Sequence, residues 1–539
     1  MKKIFFTLFV LALSATSSSA KDRTEKEMQS IASKRLGLSM STMATKAVNT
    51  AVKKVSESKQ LAVYNSKGRG FVVIAKDDDF APVLGYSDTD YDVDAIPCGL
   101  KWWMSQVEKS LEVRKAHAQT YQPAVYASST ATNFITTSWN QQAPYNTLCP
   151  KIDGVPAPTG CVATAMAQIM YYYKYPATSK GTGIYSVTTY KDKNDKEGTT
   201  KWYKRELGHT YEWTKMKNKY LRPTGDTDNA VATLMADAGA ASRMNYRAAA
   251  SGTIEWYAAK GFAENFRYDS LAISCLQRDF YTDAEWMEMV RKEMEAKQPV
   301  LYCGSDEIDG GHAFLLDGIQ SDGKVHVNWG WSGSGNGWYD INILQPKSYN
   351  GSALSSGNGF NIGQSMVLGF KKQETPSADE ENISQWVTDG YSFYISNNEL
   401  HVKLTNAYNY SHRVFEGRLD FVVQGMGDNS NKFYTDPIFE TDTETPYVDM
   451  LSGFNYGDSE NPEVDINLSQ ESELKDVSAG TYKLFVGSKS TKESSYQCLR
   501  GVGGTIMYTL AVAADGTMTL AQDGTSAISA VAVKHNISA

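Results

Sequence analysis

The residue best suited to chemistry in this sequence is Cys161. It opens the run Cys161–Tyr173, whose apolar residues recur at helical spacing, while Pro156 and Pro158 keep the preceding segment extended. The pattern therefore predicts a helix with a thiol in its first turn. Because unsatisfied N–H groups and a partial positive charge at a helix start stabilise a thiolate, we expect this position to lower the pKa of the Cys161 thiol. The alternative is that Cys161 is a small buried apolar residue.

A thiolate nucleophile needs a base within hydrogen-bond reach, and His312 is the favoured candidate. It follows Gly310 and Gly311 and precedes an apolar run, which predicts an imidazole at a strand end beside a cleft. The competing base is His326, whose alternation with two valines indicates an outward position on a strand.

The run Val325–Trp331 is expected to pair with the His312 strand through a turn at Ser321–Gly323. Asn328 at its end could orient the imidazole, with Trp329 or Trp331 covering that contact from water. The alternative is a tryptophan-rich hairpin that serves as core, and for Trp331 this alternative is slightly favoured.

Acyl transfer also needs donors for the developing oxyanion. The backbone N–H of Cys161 is one candidate. Gln141 is a side-chain candidate, although the residues alone do not separate it from Gln142 or from an exposed loop glutamine.

Composition narrows the class of protein. A length of 539 residues suggests roughly two to four domains. The net charge of −8 argues against a nucleic-acid or anionic-membrane partner. With 6 Cys and 7 His, a disulfide-dense scaffold and a cysteine-rich zinc fold are both disfavoured, and we expect no metal and no organic cofactor.

The N-terminus is typical of an export signal. Residues 1–20 carry Lys2 and Lys3, then the apolar run Ile4–Leu13, then small residues suited to cleavage. The apolar run is too short for a transmembrane anchor. We therefore expect export, with release from the cell or retention at the outer surface of a bacterium left open.

The remaining chain divides by composition. Residues 21–126 mix helical and strand patterns, and the small, polar stretch 119–133 is expected to be an exposed linker. The central block, 127–372, carries the candidate site. An acidic linker at 373–384 leads to residues 385–539, whose short alternating runs indicate a β-sandwich-like module.

Four separated motifs resemble the streptopain family of papain-fold cysteine peptidases, and most of all its interpain-type members from Bacteroidetes. They are Trp139–Asn146, Thr159–Gln168, Gly311–Ala313 and Val325–Trp331, and the resemblance covers roughly residues 21–372. It implies an α+β fold: an N-terminal α+β prodomain, a papain-like catalytic domain and, beyond it, the all-β C-terminal module.

The resemblance also implies roles. Cys161 would be the nucleophile, His312 the general base and acid, and Gln141 the oxyanion-hole side chain, with Asn328 and Trp329 in support. Gly311 and the loop containing Ser251 and Thr253 would form substrate-backbone and subsite walls. The family prefers a bulky hydrophobic residue two positions before the scissile bond.

The implied protein is a secreted cysteine endopeptidase made as a zymogen. Its own prodomain would inhibit it until cleavage at about residues 114–133, and its substrates would be proteins and peptides. Two alternatives stay open: a β-rich adhesin with a decayed catalytic part, and another thiol acyl-transfer enzyme. The joint presence of Cys161, His312 and Gln141 argues against decay.

Overall fold

The computed structural model describes residues 21–37, 51–116, 120–121, 123, 125–126, 132–192, 194–220, 225–306, 310–344, 363–373, 385–454, 463–470 and 473–523. The expected export signal and nearly all of the 373–384 linker lie outside the described residues. Within the described ranges, no helix combines the length and apolar character needed to cross a membrane.

Among its described residues, the N-terminal region contains two helices and four strands. They are α1 (Glu25–Arg35), β1 (Lys53–Glu57), β2 (Leu61–Ser66), β3 (Gly70–Ala75), β4 (Val83–Ser87) and α2 (Cys98–Ala116). Thr24 caps α1 in a capping box with Glu27. The apolar face of α2 is buried, as the helical spacing of its leucines and tryptophans predicts.

Where the structure describes the central region, it contains four more α-helices among short strands. The elements are β5 (Lys151–Ile152), β6 (Val155–Pro156), α3 (Cys161–Tyr173), β7 (Thr182–Thr189), β8 (Thr199–Glu206), α4 (Asp226–Ala241), β9 (Asn245–Tyr246), α5 (Glu255–Glu264), β10 (Ser274–Gln277), α6 (Asp283–Glu295), β11 (Val300–Asp306), β12 (Gly310–Ile319), β13 (Val325–Asn328), β14 (Gly337–Tyr339) and β15 (Gln364–Leu368).

The described C-terminal residues contain strands and short 3-10 turns. The strands are β16 (Trp386–Thr388), β17 (Tyr391–Ser396), β18 (Glu399–Leu404), β19 (Ala407–Asn409), β20 (Gly417–Gly425), β21 (Phe433–Glu440), β22 (Gly453–Phe454), β23 (Val464–Asn467), β24 (Gly480–Ser490), β25 (Gln497–Cys498), β26 (Arg500–Gly501), β27 (Gly504–Thr505), β28 (Tyr508–Val512) and β29 (Met518–Gln522). They form sheets of six, five and three strands, whose inward side chains share one hydrophobic core.

One ten-stranded sheet joins the N-terminal and central regions, in the order β1-β2-β3-β4-β14-β13-β12-β11-β15-β10. The junction is the antiparallel pair of β4 and β14, where Gly337 lies opposite Ser87. The Ser87 hydroxyl also donates to the Asn336 carbonyl at 2.6 Å. The N-terminal region is thus an extension of the central sheet, and α2 packs on the sheet face close to β11 and β12.

Part of the expected exposed linker is buried. Tyr121 is 7% exposed, and its hydroxyl donates to the buried Asp340 carboxylate at 2.8 Å. Arg114 covers the Tyr121 ring. The expectation of a wholly exposed segment was therefore wrong at Tyr121. The buried Asp340 carboxylate needs a hydrogen-bond donor, and the Tyr121 hydroxyl supplies it.

The C-terminal strands dock on the central region around α5 and α6. Arg500 pairs with Glu285 at 2.6 Å. The Trp256 indole donates to the Tyr410 carbonyl at 2.9 Å. Both contacts join side chains to partners that are distant in the chain, and the second fixes the first turn of α5.

Candidate active site

Cys161 lies at the first position of α3, as the sequence predicts. Gly160 precedes it with φ 86°, a left-handed conformation that favours glycine. A Cβ there would lie 2.5 Å from the Met244 side chain. Glycine is therefore required for both backbone conformation and space at the residue before the thiol.

The electrostatics of Cys161 differ from the expectation. Burial is the largest effect and raises the pKa of Cys161, whereas the nearby backbone N–H groups of Ala313 and Val162 act in the opposite direction by favouring the thiolate. The expected lowering of this pKa is thus wrong for the chain in this state. The helix terminus cannot compensate for removing the sulfur from water.

His312 is inside β12 rather than before its start, because the strand already begins at Gly310. It pairs with Gly304 of β11 and is only 5% exposed. Its Nε2 lies 3.1 Å from the Trp329 carbonyl oxygen. A carbonyl can only accept, so Nε2 carries the proton and, in the neutral imidazole, Nδ1 is the acceptor.

That acceptor nitrogen is occupied by the N-terminal region. Cys98 Sγ, at the start of α2, lies 3.0 Å from Nδ1 of His312. Among the described residues no hydrogen bond joins Cys161 to His312. The thiol that meets the imidazole here is therefore not the one at the start of α3.

The first turn of α2 covers the imidazole closely. A Cβ on Gly99 would lie 2.3 Å from His312 Cδ2 and 2.6 Å from Trp329 Cε3. One turn further along, the Trp102 ring lies against Gly304, where a Cβ would approach it to 2.2 Å. Glycines on both sides of this contact allow the helix to seal the His312 face.

His326 is buried at 8% exposure, so its expected outward position was wrong. Its Nδ1 pairs with the fully buried Asp317 carboxylate, and its ring stacks edge-on against Trp338. The histidine is buried because it partners a buried acid. Its contacts are structural, and none involves Cys161.

Asn328 does not contact His312. Its Nδ2 donates to the Thr137 carbonyl at 2.8 Å, and its Oδ1 accepts from the Gly330 N–H at 3.1 Å. The asparagine thus fixes the end of β13, and the neighbouring Trp329 carbonyl holds the imidazole instead. Trp329 is 1% exposed, as a covering residue should be, whereas Trp331 is 39% exposed and is not core.

The structure distinguishes Gln141 from Gln142 by their surroundings. The Gln141 carbonyl accepts from the Thr159 N–H at 3.0 Å, which ties this residue to the loop entering α3. Gln141 is half-buried, whereas Gln142 is exposed. The geometry therefore favours Gln141 as the glutamine next to Cys161.

The three expected wall residues have different surroundings. Gly311 is exposed beside His312. The Ser251 carbonyl lies beside Gly160, and the Ser251 hydroxyl is buried without a partner among the described residues. The Thr253 hydroxyl, by contrast, donates to the Ser242 carbonyl at 2.5 Å and holds the loop together.

The site offers no evident metal ligand set. Within the described ranges, the one group of metal-ligating side chains is Asp77, Asp78 and Asp79, on the loop after β3. Lys115 already pairs with Asp77 at 2.7 Å. Neither Cys161 nor His312 belongs to that group. All six cysteines are free.

Comparison with known proteins identifies the family of this chain. Residues 139–339 match the model of the Peptidase C10 family, and residues 16–111 match that of the Spi protease inhibitor. Streptopain of Streptococcus pyogenes is 31% identical over 330 residues, which are 57% of this chain and 80% of streptopain. This chain belongs to the streptopain family of cysteine peptidases.

Two further relatives agree. The thiol protease/hemagglutinin PrtT of Porphyromonas gingivalis is 31% identical over 395 residues, and the match spans 69% of this chain but only 44% of PrtT. A solved fragment of Prevotella intermedia prointerpain A has a TM-score of 0.51 at 31% identity, covering 60% of this chain and 99% of the fragment. These matches confirm the streptopain family, its cysteine-endopeptidase class and the papain-like α+β fold.

The sequence analysis missed two residues near the site. Cys98 was seen as one of several scattered cysteines, and Glu255 was not considered. Cys98 is the first residue of α2 and Glu255 is the first residue of α5, but neither has a local pattern that signals its partners. Only the packing of α2 and α5 against the central sheet brings them there.

Proposed function

We propose that this chain is an exported cysteine endopeptidase made as an inactive precursor, with Cys161 as nucleophile and His312 as general base and acid. The observation that supports this most directly is the packing of α3, which begins at Cys161, against β12, which carries His312. The nucleophile and the base, far apart in sequence, therefore lie on two elements that pack together, as a thiol–imidazole pair requires, while in the precursor Cys98 contacts the imidazole.

The reaction follows from these groups. His312 takes the proton of Cys161, and the thiolate attacks a peptide carbonyl carbon. The resulting oxyanion is held by the Cys161 backbone N–H and the Gln141 side-chain amide. His312 then gives its proton to the leaving amine as the C–N bond breaks. Finally His312 takes a proton from water as the water oxygen attacks the thioester carbon. The C–S bond then breaks, the acid leaves, and the proton on His312 returns to the Cys161 sulfur.

Trp329 and Asn328 act as positioning residues in this scheme. The Trp329 carbonyl holds Nε2–H of His312, which leaves Nδ1 as the proton acceptor. Asn328 anchors the chain just before Trp329 through its contacts with Thr137 and Gly330. The end of the β13 hairpin thus sets the tautomer and the direction of the imidazole.

Latency in this proposal comes from the first turn of α2. Cys98 occupies Nδ1, and Gly99 lies on the edge of the same ring. While α2 stays in place, His312 cannot accept the proton of Cys161, and burial keeps that thiol protonated. Removal of the prodomain by self-cleavage within about residues 114–133 would free both groups.

Self-processing of the precursor is the test. Wild type is expected to lose its prodomain and to cleave casein, whereas Cys161→Ala should remain an intact, folded precursor. Cys498→Ser, a conservative change of a half-buried thiol in the C-terminal strands, is the control and should behave as wild type. Mass spectrometry identifies the cleavage site and the thiol that iodoacetamide modifies.

The proposal is overturned if Cys161→Ala processes itself in a protease-free preparation. It is also overturned if wild type, matured with a trace of active enzyme, leaves casein intact. A panel of peptide amides then distinguishes a peptidase from another thiol acyl-transfer enzyme. A peptidase hydrolyses the peptide bond, whereas the other enzyme would require a different amide substrate or a different acceptor for the acyl group.

A further inference from the structure

The C-terminal module contributes one loop to the core of the central region. This loop, residues 410–413, follows β19, and we call it the docking loop. Its first residue, Tyr410, is buried in the hydrophobic core that contains α3 and α5, not in the core of the C-terminal strands. A module that was only tethered to its neighbour would have no reason to bury an aromatic side chain there, so the docking loop is part of the packing of the central region.

The docking loop is fixed to its own module by hydrogen bonds. Asn409, at the end of β19, is buried, and its side-chain amide donates to the carbonyls of Arg413 and Val448 at 2.8 and 3.1 Å. The Tyr410 N–H donates to the Gln385 carbonyl at 2.8 Å. Because buried polar groups are costly to leave unpaired, these bonds hold the loop in one shape. The position of the loop is therefore set by the module that carries it.

The docking loop contacts the chain at the start of α5 and again beyond its end. At the start, the Trp256 indole donates to the Tyr410 carbonyl at 2.9 Å, and the two rings meet edge-on with centroids 5.4 Å apart. Beyond the end, the Arg413 guanidinium donates to the Ser270 carbonyl at 2.9 Å. Contacts on both sides of the helix limit its position as well as its direction.

The start of α5 depends on this contact more than most helix starts would. Its N-cap residue is Ile254, whose side chain has no acceptor to offer to the first N–H groups of the helix. A first turn without a side-chain cap is less stable than a capped one. The contact between Trp256 and Tyr410 lies in this turn, so it is well placed to order it.

The chain just before α5 forms the wall beside the nucleophile. The Ser251 carbonyl oxygen would lie 3.2 Å from a Cβ on Gly160, the residue before Cys161. Gly252 exchanges both backbone hydrogen bonds with Asn245 of β9, at 3.1 and 2.9 Å. One end of this wall is therefore tied to β9, and the other end continues directly into α5.

We propose that the docking loop positions this wall for substrate binding. By fixing the start of α5, it keeps the Ser251 loop beside the nucleophile before substrate arrives, which lowers the cost of ordering the site on binding. Trp256 and Tyr410 are positioning residues, because they act through the wall and not on the reacting atoms. The C-terminal module is then a working part of the peptidase. The inference rests on the proposed peptidase function and on the wall role expected of the Ser251 loop.

The competing explanation is that the docking loop only stabilises the fold. Aromatic pairs and buried hydrogen bonds contribute to stability wherever they occur. Weakening a purely structural contact would lower the melting temperature and reduce the folded fraction, so the rates for all substrates would fall in the same proportion. Weakening a positioning contact would affect only substrates that are long enough to reach the wall.

The experiment compares two substrates of the matured enzyme. One is a peptide amide with several residues before the cleaved bond, and the other is an activated ester with a single residue there, which is too short to reach the wall. Trp256→Phe keeps an aromatic ring but loses the indole N–H. In this variant KM for the peptide is expected to rise about fivefold while kcat stays within about twofold. For the ester, kcat/KM should remain within about twofold of wild type.

Glu285→Gln is the matched control. Glu285 pairs with Arg500 at 2.6 Å in the same interface, but it belongs to α6 and not to α5. Glutamine can keep the capping box of α6 while the ion pair is weakened. This variant should lower the melting temperature without changing the ratio of kcat/KM for the two substrates.

Equal losses on peptide and ester in Trp256→Phe would overturn the positioning role and leave the peptidase function standing. If wild type cleaves neither substrate, the proposed function itself fails. If Trp256→Phe does not fold, Tyr410→Leu is compared instead, because it removes the ring contact and keeps the backbone carbonyl. A rise in KM of about threefold for the peptide alone is then expected. An unchanged KM for the peptide in a folded variant of either residue also overturns the proposal.

Discussion

Cys98 Sγ lies 3.0 Å from Nδ1 of His312. A thiol from the N-terminal region thus holds the ring nitrogen that Cys161 needs, while Nε2 stays bound to the Trp329 carbonyl. The contact is a single hydrogen bond, but it occupies Nδ1 of His312, the atom that must accept the proton of Cys161 in the proposed mechanism.

Cys98→Ala is therefore expected to mature faster than wild type. Loss of a hydrogen bond worth about 1 kcal/mol corresponds to roughly a fivefold increase in the rate of prodomain loss. Cys98→Ser keeps a donor and should stay near the wild-type rate. The rate is measured from the disappearance of precursor on gels, and equal rates for all three proteins would contradict the role of this contact.

Gly99→Ala tests the same surface through its shape. Alanine favours helices, so in an open site the change would strengthen α2. Here its Cβ would clash with His312 and Trp329, and we expect the prodomain to dissociate more readily and the precursor to show activity before cleavage. Ser105→Ala, on the same helix, is the control. A slower-maturing Gly99→Ala would show that the close contact is relieved elsewhere.

Substitutions of His312 and His326 should have different effects on activity and on stability. His312→Ala is expected to abolish turnover with little change in melting temperature. His326→Ala leaves the buried Asp317 without its imidazole partner, so it should lower the free energy of unfolding by about 1–3 kcal/mol while the folded fraction keeps activity. Thermal unfolding and kcat are measured on both. Activity in His312→Ala that is lost in His326→Ala would reverse the assignment of the base.

The two adjacent glutamines provide another matched pair. Gln141→Ala should lower kcat by about 100-fold or more with a smaller change in KM, because an oxyanion donor acts in the transition state. Gln142→Ala, at an exposed position, should stay within about twofold of wild type. Similar losses in both variants would point to a shared structural effect of this loop.

Thiol labelling should follow burial and pH. Burial raises the pKa of Cys149 to about 12 and that of Cys303 well above its usual range, so both stay protonated at neutral pH. In the native precursor, iodoacetamide at pH 7 should modify the exposed Cys98 first. Labelling of Cys149 is expected only as the pH rises toward its pKa or after unfolding. Mass spectrometry of labelled peptides checks the order, and early modification of Cys149 would contradict it.

Much of the local structure was predictable from the sequence. Two prolines before an apolar stripe at helical spacing predicted the start of α3 at Cys161. The turn at Ser321–Gly323 correctly predicted the β12–β13 hairpin. These features depend on neighbours within a few residues, and local backbone preferences are sufficient to determine them.

Two of the errors concerned burial, which the local pattern does not report. His326 alternates with valines as an exposed residue would, yet Asp317 draws it inside. Tyr121 lies in a polar stretch, yet Asp340 buries it. A period-two pattern reports which face of a strand a residue occupies, but a second layer packed on that face determines whether water reaches it.

The sequence by itself determined the candidate nucleophile and base, the family and the fold class, because their motifs are short and local. Only the tertiary structure decided that Cys98 contacts His312 and that burial outweighs the helix terminus in setting the pKa of Cys161. Each of these depends on desolvation and on distances between segments far apart in the chain, which come into existence only when the sheet and helices pack.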